Sequence, residues 1–472
     1  MNSTVNSRVL GQFLTRHRFR FLILTISTLC LTLVFSNMIS VNFTIICMDP
    51  EKSRPNETTH FTLHHYSNSQ KTILQWSVSI ASMVATVPFS YVCTRYGAQH
   101  VFFVSGLISA LSTALIPIAA KIGFLWFVLM RTFQGIAYAC DFAVIGLVTS
   151  RWASLSENAI FLAVLTTFPA FSNIFTNSIS GVICDSSLGW PSVHYVHSFV
   201  TALSFVAWFV FYTDRPEVNR FVSSTELLTI HESKSEAHKK PTGRIPYFSI
   251  LKNKVVWSVW LNAFTDLFAS FFFILYGPTY NHKVLKFDPT NTGIVNALDY
   301  LTIIPVKFAC GYASDKYNCL PEKQKMRLYN SLATLIPAVI FVVVCFVPTN
   351  IPIISVVLFG ISNTAIGCNC GGYYKCGSIV SRQYAEFVIA MTQFIKCAVF
   401  FIAPLLVEIF VHDETVGSQW HPIFWIMSVS LVISNGIFCF YATDQPADFT
   451  KTEELEKFET KQIHQPKLGV KL

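Results

Sequence analysis

Charged side chains are scarce in this chain. Asp, Glu, Lys and Arg make up 13% of its 472 residues, against about 25% in an ordinary soluble domain. Hydrophobic residues make up 52%, and the mean hydropathy is +0.48. So few charges cannot cover the surface of a soluble protein of this length. The composition therefore excludes a soluble enzyme, a disordered chain and a disulfide-rich secreted module, and it predicts a protein that crosses a membrane many times.

Motifs of nucleotide-driven and metal-dependent proteins are also missing. The chain has no G-x-x-x-x-G-K-[ST] phosphate-binding loop, which disfavours an ATP-driven pump, and no Ser/His/Asp or Cys/His set in a catalytic context. Nearly all of its 13 cysteines fall inside apolar runs, and Cys368, Cys370 and Cys376 match no zinc-ligand spacing. We expect no enzyme activity, no metal, no cofactor and no nucleic-acid partner.

Apolar runs of about 20 residues, the length that a helix needs to cross a bilayer, occur twelve times. They lie at 21–47, 73–93, 101–120, 123–144, 159–183, 196–212, 255–276, 293–313, 329–347, 353–373, 387–410 and 422–441. One long hydrophilic stretch separates six runs from six. We therefore predict an all-α membrane protein: a tail (1–20), a six-helix bundle (21–213), a linker (214–254), a second six-helix bundle (255–442) and a second tail (443–472).

Lys and Arg indicate the orientation. They are concentrated in the tails, in the linker and in the loops on the same side, and the rule that positive loops stay inside predicts that both termini are cytosolic. Asn56 begins an Asn-Glu-Thr glycosylation sequence in the first outer loop. Cys47 and Cys184 both fall near outer ends of spans, where a disulfide and two free thiols are equally compatible with the sequence. The membrane itself, plasma or vesicular/lysosomal, stays open.

The two halves resemble each other. Ser90, Thr94, Arg95 and Gly97 lie at the end of the second run, and Gly311, Asp315 and Lys316 lie at the end of the eighth, six spans later. Both segments place a small residue, then a polar residue four positions on, then a cation. This turn resembles the G-x-x-x-D-R-x-G signature of the major facilitator superfamily, from which the first copy departs at Ser90 and Thr94.

Further motifs resemble one branch of that superfamily, the sodium/phosphate cotransporters with the vesicular glutamate transporters and sialin. They are Arg131-Thr132-Phe133-Gln134-Gly135, Arg151-Trp152-Ala153 with Glu157, Gly189-Trp190-Pro191, Pro278-Thr279-Tyr280 and Arg382-Gln383-Tyr384-Ala385. The resemblance implies two pseudo-symmetric six-helix bundles that rock about a midplane site. It implies secondary active transport of a small organic or inorganic anion coupled to Na⁺ or H⁺. We expect a monomer in the lipid bilayer. The alternative is a transceptor, which binds a solute and signals without net flux.

Arg131 is the strongest site candidate. It lies near the middle of the fourth run, and a charge in hydrocarbon is a functional hypothesis by default. Its planar fork of donors suits a carboxylate or phosphate, although it could also be buried against protein acceptors and join two spans. Tyr138, two turns on, shares its face and stands where the glutamate-transporting relatives have Glu. Asn42 on the first span is a weaker candidate.

Four other charges lie within spans and are candidates for coupling or for lining the cavity. Asp266 could pair with Arg131, bind Na⁺ or a proton, or form an ion pair with Lys307 or Lys396. Asp299 and Lys307, eight residues apart, suggest a structural network. Lys396 lies at mid-depth, where we expect it to have a partner.

Charges at the cytosolic turns are candidate gating residues. They could hold the two halves together when the cytosolic side is closed, or they could be solvated loop ends. These charges are Asp315 with Lys316, Glu157 with Arg151 and Arg382 with Glu386, each set at one cytosolic turn, and the two turn motifs add Arg95, Gly97 and Gly311.

Overall fold

A computed structural model describes residues 18–48, 65–154, 157–231, 246–316 and 320–450. These residues form helices and connecting turns and contain no strand. Twelve helical segments are long and apolar enough to cross a membrane, and we number them spans 1 to 12. They are Phe19–Met48, Asn68–Cys93, Ala98–Ile122, Phe124–Trp152, Ile160–Asp185, Gly189–Phe211, Lys254–Val284, Pro289–Ser314, Glu322–Val344, Pro352–Ser381, Met391–Phe410 and Gly417–Tyr441. The predicted all-α, twelve-span fold is confirmed.

Local sequence sets several span ends. Ser67 precedes span 2 with a capping box, in which its hydroxyl accepts from the Gln70 amide and the Gln70 side chain accepts from the Ser67 amide. Asn253 caps span 7 by accepting from the amides of Val255 and Val256, at 2.9 and 3.1 Å. Both caps satisfy amides that the first helical turn leaves without partners.

Spans 1 and 7 occupy the centre of the bundle. Their most apolar windows are 83% and 78% buried, against 22% in span 2 and 28% in span 8. The rings of Phe35 on span 1 and Phe271 on span 7 meet edge to face at 6.1 Å. Phe400 on span 11 packs on Phe271 at 4.9 Å. Aromatic side chains therefore fill the junction between the two sets of six spans.

Several spans are broken near this centre. Span 4 consists of the helices Phe124–Tyr138 and Asp141–Trp152, and span 10 changes to a 3-10 turn at Gly367–Gly371 before it continues as Tyr373–Ser381. Span 7 ends in a π-helical turn, Tyr280–Val284. Irregular backbone at membrane depth is tolerated where protein or a cavity surrounds it.

Glycines bring spans 5 and 8 together. A Cβ on Gly181 would lie 2.8 Å from the carbonyl oxygen of Pro289, and one on Gly293 would collide with the carbonyl of Asn177. Small residues allow this close backbone approach between helices. The contact joins the two halves at the face opposite the chain termini, which we call the distal face. The face where span 1 begins and span 12 ends is the terminal face.

Two short helices lie in the linker, Ser224–His231 and Tyr247–Lys252. The Ser223 hydroxyl caps the first of these helices by accepting from the Glu226 amide at 3.2 Å. Glu226 is buried and accepts from the backbone amide of Arg20 at 2.8 Å. This linker helix is thereby tied to the start of span 1.

Candidate functional site

Arg131 is fully buried in span 4 and is held by neutral acceptors. Its Nη1 donates to the Met38 carbonyl at 2.6 Å and to the Gln134 side chain at 2.8 Å. Its Nε donates to the Leu74 carbonyl and its Nη2 to the Gln75 side chain, both at 3.2 Å. Among the described residues no carboxylate lies within salt-bridge distance of this guanidinium. The cluster therefore keeps a net positive charge.

Gln75 extends this cluster to the interface between the halves. Its Nε2 donates to the side-chain oxygen of Asn42. The Asn42 amide in turn lies 3.5 Å from the Ile274 carbonyl of span 7. The structure thus connects two predicted site residues, Arg131 and Asn42, through a glutamine that the sequence analysis did not single out.

Gln134 belongs to the motif around Arg131, but the sequence analysis did not propose it as a site residue. It accepts from Arg131, and its Nε2 donates to the Asn37 carbonyl at 2.9 Å and to the Thr113 hydroxyl at 2.8 Å. Its spacing of three residues from Arg131 places both side chains on one helix face. This spacing was the sequence feature from which its role beside Arg131 could have been predicted.

Tyr138 lies on the same span but outside the Arg131 hydrogen-bond cluster. Its hydroxyl is buried without a hydrogen-bond partner. The Lys396 ammonium lies 4.5 Å from the centre of its ring. Lys396 also lies over Phe168 at 5.6 Å and Phe271 at 5.9 Å. The expected neighbours of Lys396 therefore include aromatic faces, which attract cations.

Asp266 is buried in span 7 and accepts two hydrogen bonds through one oxygen. Asn369 and Tyr373 both donate to its Oδ2 at 2.9 Å, whereas its Oδ1 is buried without a partner. The possible ion pairs with Arg131, Lys307 or Lys396 are not formed in the described part of the chain. The 3-10 turn of span 10 supplies the Asn369 amide in their place.

The expected network of Asp299 and Lys307 is also not formed among the described residues. No ion pair joins the two side chains, because eight residues along a helix correspond to a rise of about 12 Å. The Asp299 carboxylate instead lies beside Gly360 of span 10, where a Cβ would be 3.2 Å from its Oδ1.

On the terminal face the first half forms two charge clusters. Arg151 pairs with Asp214 at 2.6 Å, and Glu157 pairs with Arg20 at 2.7 Å. These two gating candidates therefore contact charged residues of other elements. The hydrogen bond from Arg20 holds the pKa of the Glu157 carboxyl below its ordinary value.

Asp214 also explains why position 97 is a glycine. Its carboxylate accepts from the amides of Ala98 and Gln99 at 2.7 and 3.3 Å, at the start of span 3. Gly97 has φ +92°, and a Cβ there would collide with this carboxylate. Asp214 therefore supplies the acid that the first turn motif lacks at Thr94. Arg95 is exposed and lies 6.0 Å from the centre of the Tyr96 ring.

The second half has a related cluster at its own terminal face. Glu322 pairs with Lys325 at 2.5 Å and also with Lys375. Both lysines donate to the Ser314 carbonyl, at 3.0 and 3.2 Å. Lys375 on span 10 corresponds to Arg151 on span 4, six spans earlier. Each ion pair described on this face therefore joins residues of the same half, and none joins the first half to the second.

The remaining gating candidates do not form contacts between the halves among the described residues. Lys316 donates to the Tyr312 hydroxyl one turn earlier. A Cβ on Gly311 would be in ordinary contact with Cys370, at 3.8 Å. Arg382 is exposed with φ +42°. The side chains of Asp315 and Glu386, and the whole of Asn56, lie outside the described residues.

The distal face carries the contacts that join the halves, and the sequence analysis did not anticipate them. Lys71 of span 2 pairs with Glu414 at 2.7 Å. The hydroxyls of Ser69 and Thr72 donate to Glu408 of span 11, at 2.5 and 3.1 Å. We call these five residues the distal gate. This conformation is therefore closed at the distal face.

Two rings and a disulfide lie close to the distal gate and the distal end of span 1. Trp76 stacks on Phe401 at 4.5 Å, and its indole donates to the Phe401 carbonyl at 2.9 Å. Cys47 and Cys184 form a disulfide with a Cα separation of 6.1 Å. Of the two states that the sequence left open, the structure contains the bonded one, which ties span 1 to span 5.

Comparison with known proteins gives one consistent result. The family described as Major Facilitator Superfamily matches residues 21–404. Human sodium-dependent phosphate transport protein 1 is 24% identical, over 90% of this chain and 93% of its own length. Human sialin is 21% identical, over 90% of this chain and 87% of its own length.

Solved structures share the fold. A D-xylose-proton symporter superposes with a TM-score of 0.66 at 13% identity, covering 92% of this chain and 99% of its own. A bacterial homolog of the human lysosomal transporter Spinster, inward-facing and unoccupied, gives a TM-score of 0.65 at 14% identity, covering 90% of this chain and 97% of its own.

Proposed function

Because this chain belongs to the Major Facilitator Superfamily, it is a membrane transporter and not an enzyme, and we propose that its cargo is a small organic or inorganic anion. Transport is secondary active and coupled to Na⁺ or H⁺. The two six-span halves rock about a site at their interface and expose it to each side in turn. The transceptor alternative has no specific observation in its favour.

The observation that carries the anion proposal is the environment of Arg131. A guanidinium stays protonated in proteins, and this one is buried among carbonyl and amide oxygens. These acceptors satisfy its N–H groups but do not neutralise its charge. A negative solute that comes within a few ångströms in this low-dielectric region is strongly attracted.

Access to Arg131 follows from its link to span 7. The contact of Asn42 with the Ile274 carbonyl is the point where the Arg131 cluster touches the other half. A movement that separates spans 1 and 7 breaks this weak contact and uncovers Asn42 and, behind it, Gln75, whose side chain bonds the guanidinium. Anion binding is therefore proposed for the distal-open conformation.

Asp266 is the proposed coupling residue in the second half. Its Oδ2 is fixed by Asn369 and Tyr373, and its Oδ1 is buried without a partner. A carboxylate oxygen in this state can take a proton or a Na⁺ ion. Either cation would reduce the cost of burying the charge.

The orientation and the membrane belong to the same proposal. The excess of Lys and Arg on the terminal face supports cytosolic termini, and both a plasma membrane and a vesicular or lysosomal membrane are compatible with it. A single chain contains both halves, so a monomer suffices for the cycle.

The test is uptake into proteoliposomes. Labelled inorganic phosphate, urate, benzoate and L-glutamate are offered under imposed Na⁺ and pH gradients. We expect accumulation of at least one anion by the native protein. We also expect its loss in Arg131→Ala, with Arg220→Gln, an exposed arginine, as the matched control.

Folding is checked by monodisperse elution and a thermal melt. If Arg131→Ala does not fold, Asn42→Ala tests the same cluster without removing its charge. Unchanged anion affinity in a folded Arg131→Ala protein would remove the proposed site, and no uptake of any anion by the native protein would contradict the proposed cargo.

A further inference from the structure

A chain of hydrogen bonds leads from the Arg131 cluster to a buried histidine. Arg131 donates to Gln134, whose Nε2 donates to the Asn37 carbonyl at 2.9 Å. The same carbonyl accepts from the Ser40 hydroxyl at 2.9 Å. The Ser40 oxygen in turn lies 3.5 Å from Nδ1 of His194 on span 6. The chain therefore connects the proposed anion site to a side chain that can change its charge near neutral pH.

The hydrogen bonds of His194 indicate which of its nitrogens carries the proton. The Ser40 hydrogen is directed to the Asn37 carbonyl, so the Ser40 oxygen is left to accept from Nδ1–H of His194. Nε2 then presents its lone pair to the Thr44 hydroxyl, 3.2 Å away. In this arrangement the neutral imidazole has a partner at both nitrogens.

Thr44 can also serve the protonated ring. Its hydroxyl lies 3.4 Å from the Val41 carbonyl as well as 3.2 Å from Nε2 of His194. If Nε2 gains a proton, the Thr44 hydrogen can turn to the Val41 carbonyl, and the Thr44 oxygen can accept from Nε2–H. Rotation of one hydroxyl therefore satisfies both states of the ring, so that protonation leaves no buried donor without an acceptor.

The surroundings of His194 hold its ring neutral while the protein is empty. The side chain is fully buried, and spans 1, 3 and 5 pack against span 6. Among the described residues, the charged or titratable groups that act on the ring are Arg131 and His197, three residues along the same span. No described carboxylate contacts the ring, whose polar partners are two hydroxyls. A buried positive charge without a negative partner is costly, and the charge of Arg131 adds to this cost.

We propose that His194 is a proton-binding residue of the transport cycle, and that its proton and the anion at Arg131 favour each other's binding. The inference rests on the proposed anion transport. It deepens that proposal, because it makes H⁺ a ligand of the half that binds the anion, whereas Asp266 lies in the other half. A bound anion offsets the charge of Arg131 and so lowers the cost of charging the imidazole, and the imidazolium in turn attracts the anion. By thermodynamic linkage the two effects are equal.

His194 lies near the side from which the anion is proposed to enter. Span 6 begins at Gly189 on the distal face, five residues before His194, which is a rise of about 8 Å. Its partners Ser40 and Thr44 lie on the distal part of span 1, which ends at Met48. A proton taken from water on the distal side therefore has a short path to Nε2. Anion and proton are expected to enter from the same side.

The first measurement is the pH dependence of anion exchange in proteoliposomes, with equal pH on both sides and with the anion of the panel above that the native protein carries. A histidine gains its proton as the pH falls from about 8 to about 5. The half-saturation concentration of the native protein should therefore decrease, by about tenfold, over this range. In His194→Gln it should stay near the native high-pH value throughout. Titration of the anion itself is common to both proteins and cancels in their ratio.

The matched control is His197→Gln. This histidine is also fully buried on span 6, and its Nδ1 lies 2.8 Å from the Val193 carbonyl of its own span. Its ring is outside the chain that leads to Arg131. The native pH dependence should therefore persist in this variant.

The second measurement is proton uptake on anion binding, a readout that a merely structural histidine would not change. The purified protein is placed in weakly buffered detergent solution with a pH indicator, and the anion is added from a stock at the same pH. Native protein and His197→Gln should take up protons as the anion binds, and His194→Gln should not. This is the reciprocal of the pH-dependent affinity.

The outcomes separate this inference from the proposed function. If the native protein carries none of the anions, the proposed function fails whatever the variants do. If it carries one, three results overturn this inference and leave the Arg131 proposal standing: a native affinity that does not depend on pH, the native pH dependence in His194→Gln, or its loss in His197→Gln. If His194→Gln does not fold, Thr44→Val decides, because it removes the acceptor for Nε2–H. The gain in affinity at low pH should then shrink, and a full native gain would overturn the inference.

Discussion

A buried arginine can be satisfied without being neutralised, and Arg131 is in this state. The Met38 and Leu74 carbonyls and the Gln75 and Gln134 side chains take four of its five N–H bonds. Each acceptor lowers the cost of burial, but none carries a charge. The protein therefore stores a positive potential in a rigid setting, which is how a transport site can attract an anion and still be stable when it is empty.

Gln134→Glu tests this arrangement at a single atom. The substitution keeps the shape and places a carboxylate oxygen where the amide oxygen now lies, 2.8 Å from Nη1 of Arg131; it also removes the N–H donor to the Asn37 carbonyl, so its folding is checked by a thermal melt. The guanidinium then has a permanent counter-ion, so anion affinity in the exchange assay should fall by about tenfold or more. Gln445→Glu, at an exposed position, should change nothing. Native affinity in a folded Gln134→Glu protein would contradict the role given to the free charge.

At the scale of the helices, the structure is asymmetric between its two faces. The ion pairs described on the terminal face lie within one half, as in Arg151–Asp214 and Glu322–Lys325. On the distal face Lys71–Glu414 crosses from span 2 to the loop between spans 11 and 12. The described ion pairs therefore join the two halves at the distal face but not at the terminal face. This pattern is expected for a carrier whose site opens toward the terminal face.

Charge reversal at the distal gate should shift this balance. Lys71→Glu places two acidic groups together and should favour the distal-open conformation, whereas Lys71→Glu/Glu414→Lys should restore closure. Ile45→Cys, in a half-buried position beside the gate, reports the change through its rate of reaction with a membrane-impermeant maleimide. The rate should rise in Lys71→Glu and return in the double variant. Equal rates in all three backgrounds would mean that this pair does not hold the gate.

At the scale of the whole molecule, the two halves have related clusters at corresponding places. Arg151 and Lys375, six spans apart, each form an ion pair with an acid, Asp214 and Glu322 respectively. Both acids lie near the turn between the second and third spans of their half. Related halves that face each other can exchange two arrangements of one interface. The proposed alternating access would then need no large change inside either half.

The orientation of the whole molecule can be tested by labelling from outside intact cells. Lys316→Cys and Arg382→Cys change exposed residues of the terminal face, and Lys121→Cys changes an exposed residue at the distal end of span 3. The protein is directed to the plasma membrane and treated with a maleimide that cannot cross the membrane. If positive charge keeps the terminal face in the cytosol, this reagent should label Lys121→Cys and should not label Lys316→Cys or Arg382→Cys. Labelling of Lys316→Cys from outside would reverse the proposed orientation.

Single residues of the site could be found in the sequence, but their partners could not. Arg131 and Lys396 stand out because a charge within an apolar run is rare. Their neighbours are set by packing. The partner of Arg151, for example, is Asp214, which is 63 residues away in the chain. The distal gate was missed because Ser69, Lys71 and Thr72 look like ordinary residues at the start of a helix.

The sequence by itself determined the environment of the chain, the number of its spans and the division into two sets of six. These depend on composition and on the length of apolar runs, and the cost of burying charge in lipid acts on each segment separately. The tertiary structure decided which charges meet, that the disulfide Cys47–Cys184 closes and that Lys396 lies over the Tyr138 ring. These depend on distances of a few ångströms between segments far apart in the chain, which only the packing of the helices fixes.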